Sequence, residues 1–261
     1  MPSHTDAGVI DVNMVWVTDV TPVQFAVVWG TSEPATGSVN VFADADGAVP
    51  VMDAVVQFES SGYPPSEDIG VMKVRVNNLK PNIQYYFQIK SISKSSGGVS
   101  THPDGPPFLE VTTEQGSVIV RNDVLAQQIS IGGGQSTQGT LVIAEIDQAS
   151  HPVTGWAGDG VPDGWVAIDT NNFYDKDTHV NLELLGGEPI TFTYFGGSMG
   201  SVETSDTVPA ENGGMQPVKV AANLPDDDSG GGSSTSSSSD SGGGGGGSCF
   251  IATALDDLFG F

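Results

Sequence analysis

The chain has 261 residues, room for two ordinary domains, and sets 8 Lys and Arg against 32 Asp and Glu for a formal net charge of -24. An excess of that size repels phosphate backbones and anionic lipid, which excludes nucleic acid and acidic membranes as partners. The single cysteine, Cys249, excludes an intrachain disulfide, and no stretch approaches the roughly 18–20 apolar residues that a membrane helix needs.

The start, Met1 to Asp6, lacks the basic and apolar regions of an export signal. From residue 10 to 114 short β-branched and aromatic runs alternate with turn residues. Val12 to Val17, Val23 to Trp29, Ser38 to Phe42, Val51 to Phe58, Val71 to Val76, Tyr85 to Ser91 and Phe108 to Thr113 read as strands. In the fifth run Met72, Val74 and Val76 share one face, and Lys73, Arg75 and Asn77 take the other. Period two with a polar outside is the pattern of an antiparallel sheet packed on one face. Seven such runs in about a hundred residues predict a β-sandwich.

The segment Leu79-Lys80-Pro81-Asn82-Ile83-Gln84-Tyr85 resembles the fibronectin type III signature, in which Leu, then Pro two later, then Tyr four after that, lead into the sixth strand. The resemblance implies a tyrosine corner at Tyr85, a core plug at Leu79 beside Pro81, and Trp29 as the core tryptophan. It covers residues 10–114. The Gly/Ser/Pro-rich stretch Ser93 to Pro107 replaces the usual short hairpin, and no Arg-Gly-Asp is present there, so integrin-type adhesion does not carry over.

Residues 116–224 again show short alternating runs, clearest at Leu141 to Ile146, Gly164 to Asp169, Val180 to Leu184, Ile190 to Phe195 and Val218 to Asn223. They predict a second β-sandwich, loosely similar to the Ig-like or transthyretin-like modules of bacterial surface proteins. Trp165 is expected to share an inward face with Ala167. Trp156, Phe173 and Tyr174 lie among acidic loops, where exposed aromatics would stack on sugar rings. Asp44 to Gly47 reads as a hairpin turn, since the first ligand position of a calcium loop would fall on Phe42, whereas the loops Asp159 to Gly164 and Asp169 to Asp177 carry oxygens of the kind calcium takes. Turn chemistry alone also explains them, so no metal is assigned.

From Asp226 to Ser248 every residue is Gly, Ser, Thr or Asp. With nothing apolar to bury, 226–248 is expected to be a disordered linker, spanning on the order of 25 Å. Residues 249–261 then begin Cys249-Phe250-Ile251-Ala252-Thr253-Ala254. A poly-Gly lead followed by this run resembles the CFI-box type of C-terminal tail on bacterial secreted proteins, which implies sorting or attachment through Cys249, Phe250 and Ile251. Such a tail implies export, so a leader is expected to have been removed.

Catalytic candidates are poor. Gly196-Gly197-Ser198-Met199-Gly200 fits the esterase elbow pattern, but Ser201 to Gly214 reads as turn rather than helix, and the last histidine, His179, precedes Ser198. His4, His102, His151 and His179 have no zinc spacing. The expectation is an all-β protein of two tandem antiparallel β-sandwiches with linker and tail. It would be non-catalytic and without cofactor, extracellular or on the cell surface, and act as spacer, adhesin or surface-assembly component. Its partner would be a surface or extracellular protein or a polysaccharide, with the membrane reached only through covalent or partner anchoring. The alternative is a carbohydrate-binding module associated with polysaccharide degradation.

Overall fold

The computed structural model describes residues 10–61, 65–116, 118, 124–131, 137–197, 200–209 and 218–220. They form fifteen strands and two single-turn 3-10 segments, Ser66–Asp68 and Thr170–Asn172; the protein is all-β. Linker 226–248 and tail 249–261 lie outside the described residues.

Strands β1 (Val12–Thr18), β2 (Phe25–Thr31), β5 (Val71–Asn77) and β4 (Val55–Glu59) make an antiparallel sheet in the order β1-β2-β5-β4. Facing it, β3 (Ala35–Phe42) pairs with β6 (Gln84–Ser93), whose other edge carries β7 (Val99–His102) and β8 (Leu109–Thr112) in succession. The stretch Ser93 to Pro107 therefore contains a strand, against expectation: β7 holds only one large apolar residue, Val99, and is fixed by its ladder to β6.

Between these sheets Phe25, Val27 and Trp29 of β2 and Met72, Val74 and Val76 of β5 meet Val39, Val41, Phe87 and Ile89 in one apolar core. Period-two alternation aims those residues at one face. The Trp29 indole N–H donates to Ser91 Oγ at 3.0 Å, satisfying the one polar atom that its burial removes from water. The Tyr85 hydroxyl accepts from the Lys80 backbone N–H at 3.0 Å. Leu79 is buried in the same core, and Pro81 lies exposed in the intervening turn.

In the second sheet pair the order is β11 (Val153–Trp156), β10 (Leu141–Ile146), β13 (Pro189–Phe195) and β14 (Ser201–Thr207). Across a second core lie β12 (Trp165–Asp169), β9 (Val124–Ile131) and β15 (Val218–Val220). The β15–β9 pair is parallel, so the sheets are not uniformly antiparallel. Three expectations change here. Val180 to Leu184 is no strand: only Asn181 bridges to Tyr174, while Leu182 and Leu184 still pack on the core. Ser201–Thr207 is a strand rather than a turn, because its ladder to β13 fixes it at the sheet edge, where polar residues suffice. Trp165 does not face inward; Val166 and Ile168 do.

A third apolar cluster joins the pairs. Val28 and Val71 from the outer face of the β1-β2-β5-β4 sheet meet Leu141, Ile143, Trp156 and Phe195 from the outer face of the β11-β10-β13-β14 sheet, flanked by Trp16 and Ile69. Both faces of β2 are therefore buried. The Trp16 and Phe195 rings pack edge to face at 5.3 Å. A Cβ on Gly30 would meet Phe195 Cζ at 2.9 Å, and one on Gly197 would collide with the Ile69 carbonyl oxygen. Glycine is what lets the two sheets approach this closely.

Truncating the aromatics of the two clusters separates their contributions. Trp29→Ala and Phe195→Ala should each destabilise the folded protein by about 3–5 kcal/mol in urea titrations followed by far-UV circular dichroism. A loss below about 1 kcal/mol for Phe195→Ala would mean that the inter-sheet contact carries no weight.

Candidate functional site

The turn after β1 places Asp19 between the two sheet pairs. Its backbone is left-handed, with φ 51°, a conformation that Asp tolerates better than most residues. Its N–H donates to the Pro152 carbonyl at 2.9 Å, and its carboxylate accepts from the Thr154 N–H at 2.9 Å and from the Thr154 hydroxyl. The Lys73 ammonium lies 3.2 Å from the same carboxylate, with both side chains at most 3% exposed. Burial alone would raise the Asp19 pKa. Lys73, the two Thr154 hydrogen bonds and Arg75 outweigh it and hold the carboxyl below its ordinary range.

Lys73 also contacts Glu59 at 3.1 Å. Glu59 in turn takes Arg75 on both oxygens, Nε at 2.8 Å and Nη2 at 3.2 Å. Alternation along β5 thus gives Lys73 a face covered by the second sheet pair, with Arg75 at its partly exposed margin, not the solvated outside that the sequence pattern predicts. They open onto a cavity of about 400 Å³, lined among others by Gln57, Glu59, Lys73, Arg75, Trp156 and Asp159. Such a lining offers hydrogen-bond donors and acceptors.

A second buried carboxylate, Glu114, follows β8 and is 1% exposed. The Ser150 hydroxyl donates to it, His179 Nδ1 lies 2.9 Å away and His151 Nδ1 3.4 Å away. Burial would raise the Glu114 pKa, but the His151 imidazole beside it and hydrogen bonds with Ser150 and His179 outweigh it and keep the group below its ordinary value. Among the described residues no group of three or more His, Cys, Asp or Glu side chains is arranged to hold a metal ion. The spacing 114, 151, 179 carries no motif, so nothing local in the sequence marks this cluster.

The proposed stacking aromatics are not displayed as a platform. Trp156 is 7% exposed, Phe173 0% and Tyr174 1%. Trp156 belongs to the inter-sheet cluster and Phe173 to the second core, while burial, with Glu114 and Asp169 nearby, pushes the Tyr174 phenol up to about 12. These apolar faces are worth more buried than hydrated, and the sheets supply the space.

Four carboxylates of the acidic loops accept from nearby backbone N–H groups. Asp44 accepts from the Ala48 and Val49 N–H groups, Asp163 from the Thr137 N–H and hydroxyl, and Asp169 from the Asn171 N–H. Asp175 accepts from the Asp177 and Thr178 N–H groups. These hydrogen bonds account for the turn conformations at Asp44, Asp163, Asp169 and Asp175. Gly196, Gly197 and Gly200 close a tight turn joining β13 to β14, with no helix following. Ser198 itself, like Cys249, Phe250 and Ile251, lies outside the described residues.

These features define an all-β protein whose paired sheets are clasped by buried carboxylates. No protein-family model matches the chain, and none of the curated protein sequences matches it.

Two measurements test the clasp. Asp19→Ala leaves buried Lys73 with Glu59 alone and strands the Thr154 donors, and should cost about 3–5 kcal/mol of unfolding free energy in urea. The second is pH dependence. Glu114 has a folded pKa below its ordinary 4.5, so its contribution is complete above that value and is lost as pH falls through the folded pKa. The stability difference between wild type and Glu114→Gln should accordingly be largest near neutrality and narrow below about pH 4.5. A difference that stays constant with pH would show that the carboxylate does not act through its charge.

Proposed function

We propose that the chain is a non-catalytic extracellular or cell-surface protein that works as a spacer or surface-assembly component, an adhesin in the broad sense. In this reading the first sheet pair is a fibronectin type III-like sandwich and the second an Ig-like or transthyretin-like one. The observation that carries it is the sealed contact between the β1-β2-β5-β4 and β11-β10-β13-β14 sheets. A spacer must hold its modules at a fixed angle under load, and an apolar cluster flanked by a buried Asp19–Lys73 pair does that better than a flexible hinge. The acidic surface keeps such a protein soluble and off anionic lipid. Its partners are then a surface or extracellular protein or a polysaccharide.

The Gly/Ser/Asp linker and the tail complete the proposal. A polar arm presents the Cys249 thiol, beside Phe250 and Ile251, to a sorting or attaching enzyme. The apolar run is far below spanning length and carries Asp256 and Asp257, so durable membrane association requires covalent chemistry or a partner.

Expression of the native gene in its own host with Cys249→Ser tests the attachment. The variant should shift from the surface-bound to the released fraction, and the wild-type mature mass should show a modified thiol or a cleaved tail. Equal retention together with an unmodified full-length mass would sink it. Ester, peptide and glycoside substrates should show no turnover; reproducible turnover abolished by Ser198→Ala would make the protein an enzyme instead.

A further inference from the structure

From the cavity between the sheet pairs we infer a binding site for a small neutral polyhydroxylated ligand, of the size of one or two sugar rings. The cavity lies where two sheet-edge strands approach, β4 contributing Gln57 and Glu59, and β11 contributing Thr154 to Trp156. Its volume of about 400 Å³ falls within the roughly 300–1,000 Å³ of ligand pockets. The lining is mostly polar, which disfavours an apolar ligand.

The charge pattern narrows the class further. Lys73 is already shared between Asp19 and Glu59, and Arg75 is paired on both oxygens of Glu59. Each ion is thus neutralised once within the protein, and no excess cation remains to select an anion. What is left is single hydrogen-bonding capacity of both kinds: the third Lys73 N–H, the outer guanidinium N–H groups of Arg75, the Gln57 amide and the Asp159 carboxylate. Neither Gln57 nor Asp159 has a side-chain partner among the described residues. Hydroxyl groups, each both donor and acceptor, match such a mixed set better than a carboxylate, phosphate or amine does. Trp156, 7% exposed, adds apolar contact for ring C–H groups. Recognition here rests on hydrogen bonds in a cleft, not on the open aromatic platform that the sequence suggests.

The site is also prepaid in structure. Lys73 and Arg75 are fixed by ion pairs that exist for the fold, so neither of these two long side chains has to be ordered when a ligand enters. It is independent of the spacer reading and of the tail.

The test uses the full-length protein and titrates glucose, galactose, mannose, maltose, cellobiose and lactose, read by calorimetry and by the Trp156 indole and Arg75 side-chain N–H resonances. At least one sugar should bind saturably and move both resonances. Asp159→Ala and Gln57→Ala, two exposed substitutions outside the clasp, should each weaken that binding by about tenfold while leaving the urea midpoint unchanged. Arg75→Ala should abolish it. Absence of saturable binding by all six sugars overturns the proposal. So does binding that Asp159→Ala and Gln57→Ala both leave intact, or saturation of the same resonances by acetate, phosphate or lysine but by no sugar.

Discussion

The structure turns on a pair of opposite charges buried where the two sheet pairs meet. Removing a carboxylate and an ammonium from water costs several kcal/mol per ion unless the pair is close and its remaining hydrogen-bonding capacity is filled. At Asp19 those conditions hold: Lys73 supplies the charge and Thr154 supplies two donors. Only one placement of residues 152–154 against the β1–β2 turn satisfies them together, since the Asp19 N–H also requires the Pro152 carbonyl. Apolar contact is tolerant of sliding, whereas a desolvated carboxylate is not. The pair therefore sets the register, and the cluster around Val28, Leu141 and Phe195 supplies the area.

Glu114 grips the same segment from its other end. Ser150 and His151 reach Glu114, while Pro152 and Thr154 reach Asp19, so residues 150–154 are held at both ends just as they enter β11. The Glu114 backbone N–H in turn donates to Thr21 O, two residues from Asp19. Two carboxylates from the first half thus share one strip of the second. In a chain with 32 acidic residues these two act as internal connectors, held charged at neutral pH by their lowered pKa values.

This economy of charge bears on function. Two of the eight basic residues are Lys73 and Arg75, and both are committed to the seam, where they seal the contact and line the cleft beside it. A surface acting through charge alone would spread its bases outward. A joint that fixes geometry and leaves a small polar recess suits a presenting or spacing protein that also recognises a neutral ligand.

Much of the local structure is legible in the sequence, because it follows from periods and turns. The alternation of Met72, Val74 and Val76 fixes one face of β5, and Leu141 to Ile146 is a strand over the same residues in the sequence reading and in the structure. The Leu79 to Tyr85 spacing carries its own corner hydrogen bond within a few residues of chain. What the pattern could not state is what lies over the other face. Lys73 and Arg75 alternate as a solvated side would, and strands of mixed polarity such as β7 and β14 carry too little apolar signal to be seen alone. Trp156 among acidic loops looks like a displayed ring until Leu141 and Phe195 come down on it. Pairing partners 39, 135 or 65 residues apart, as for Thr31 with Gly70, Thr154 with Asp19 and His179 with Glu114, leave no local trace. Periodicity therefore determined the strands with one strongly apolar face and which side faces the nearer core; only tertiary packing fixed the polar edge strands and, by desolvating Asp19, Lys73 and Glu114 together, decided that the polar side is an interface.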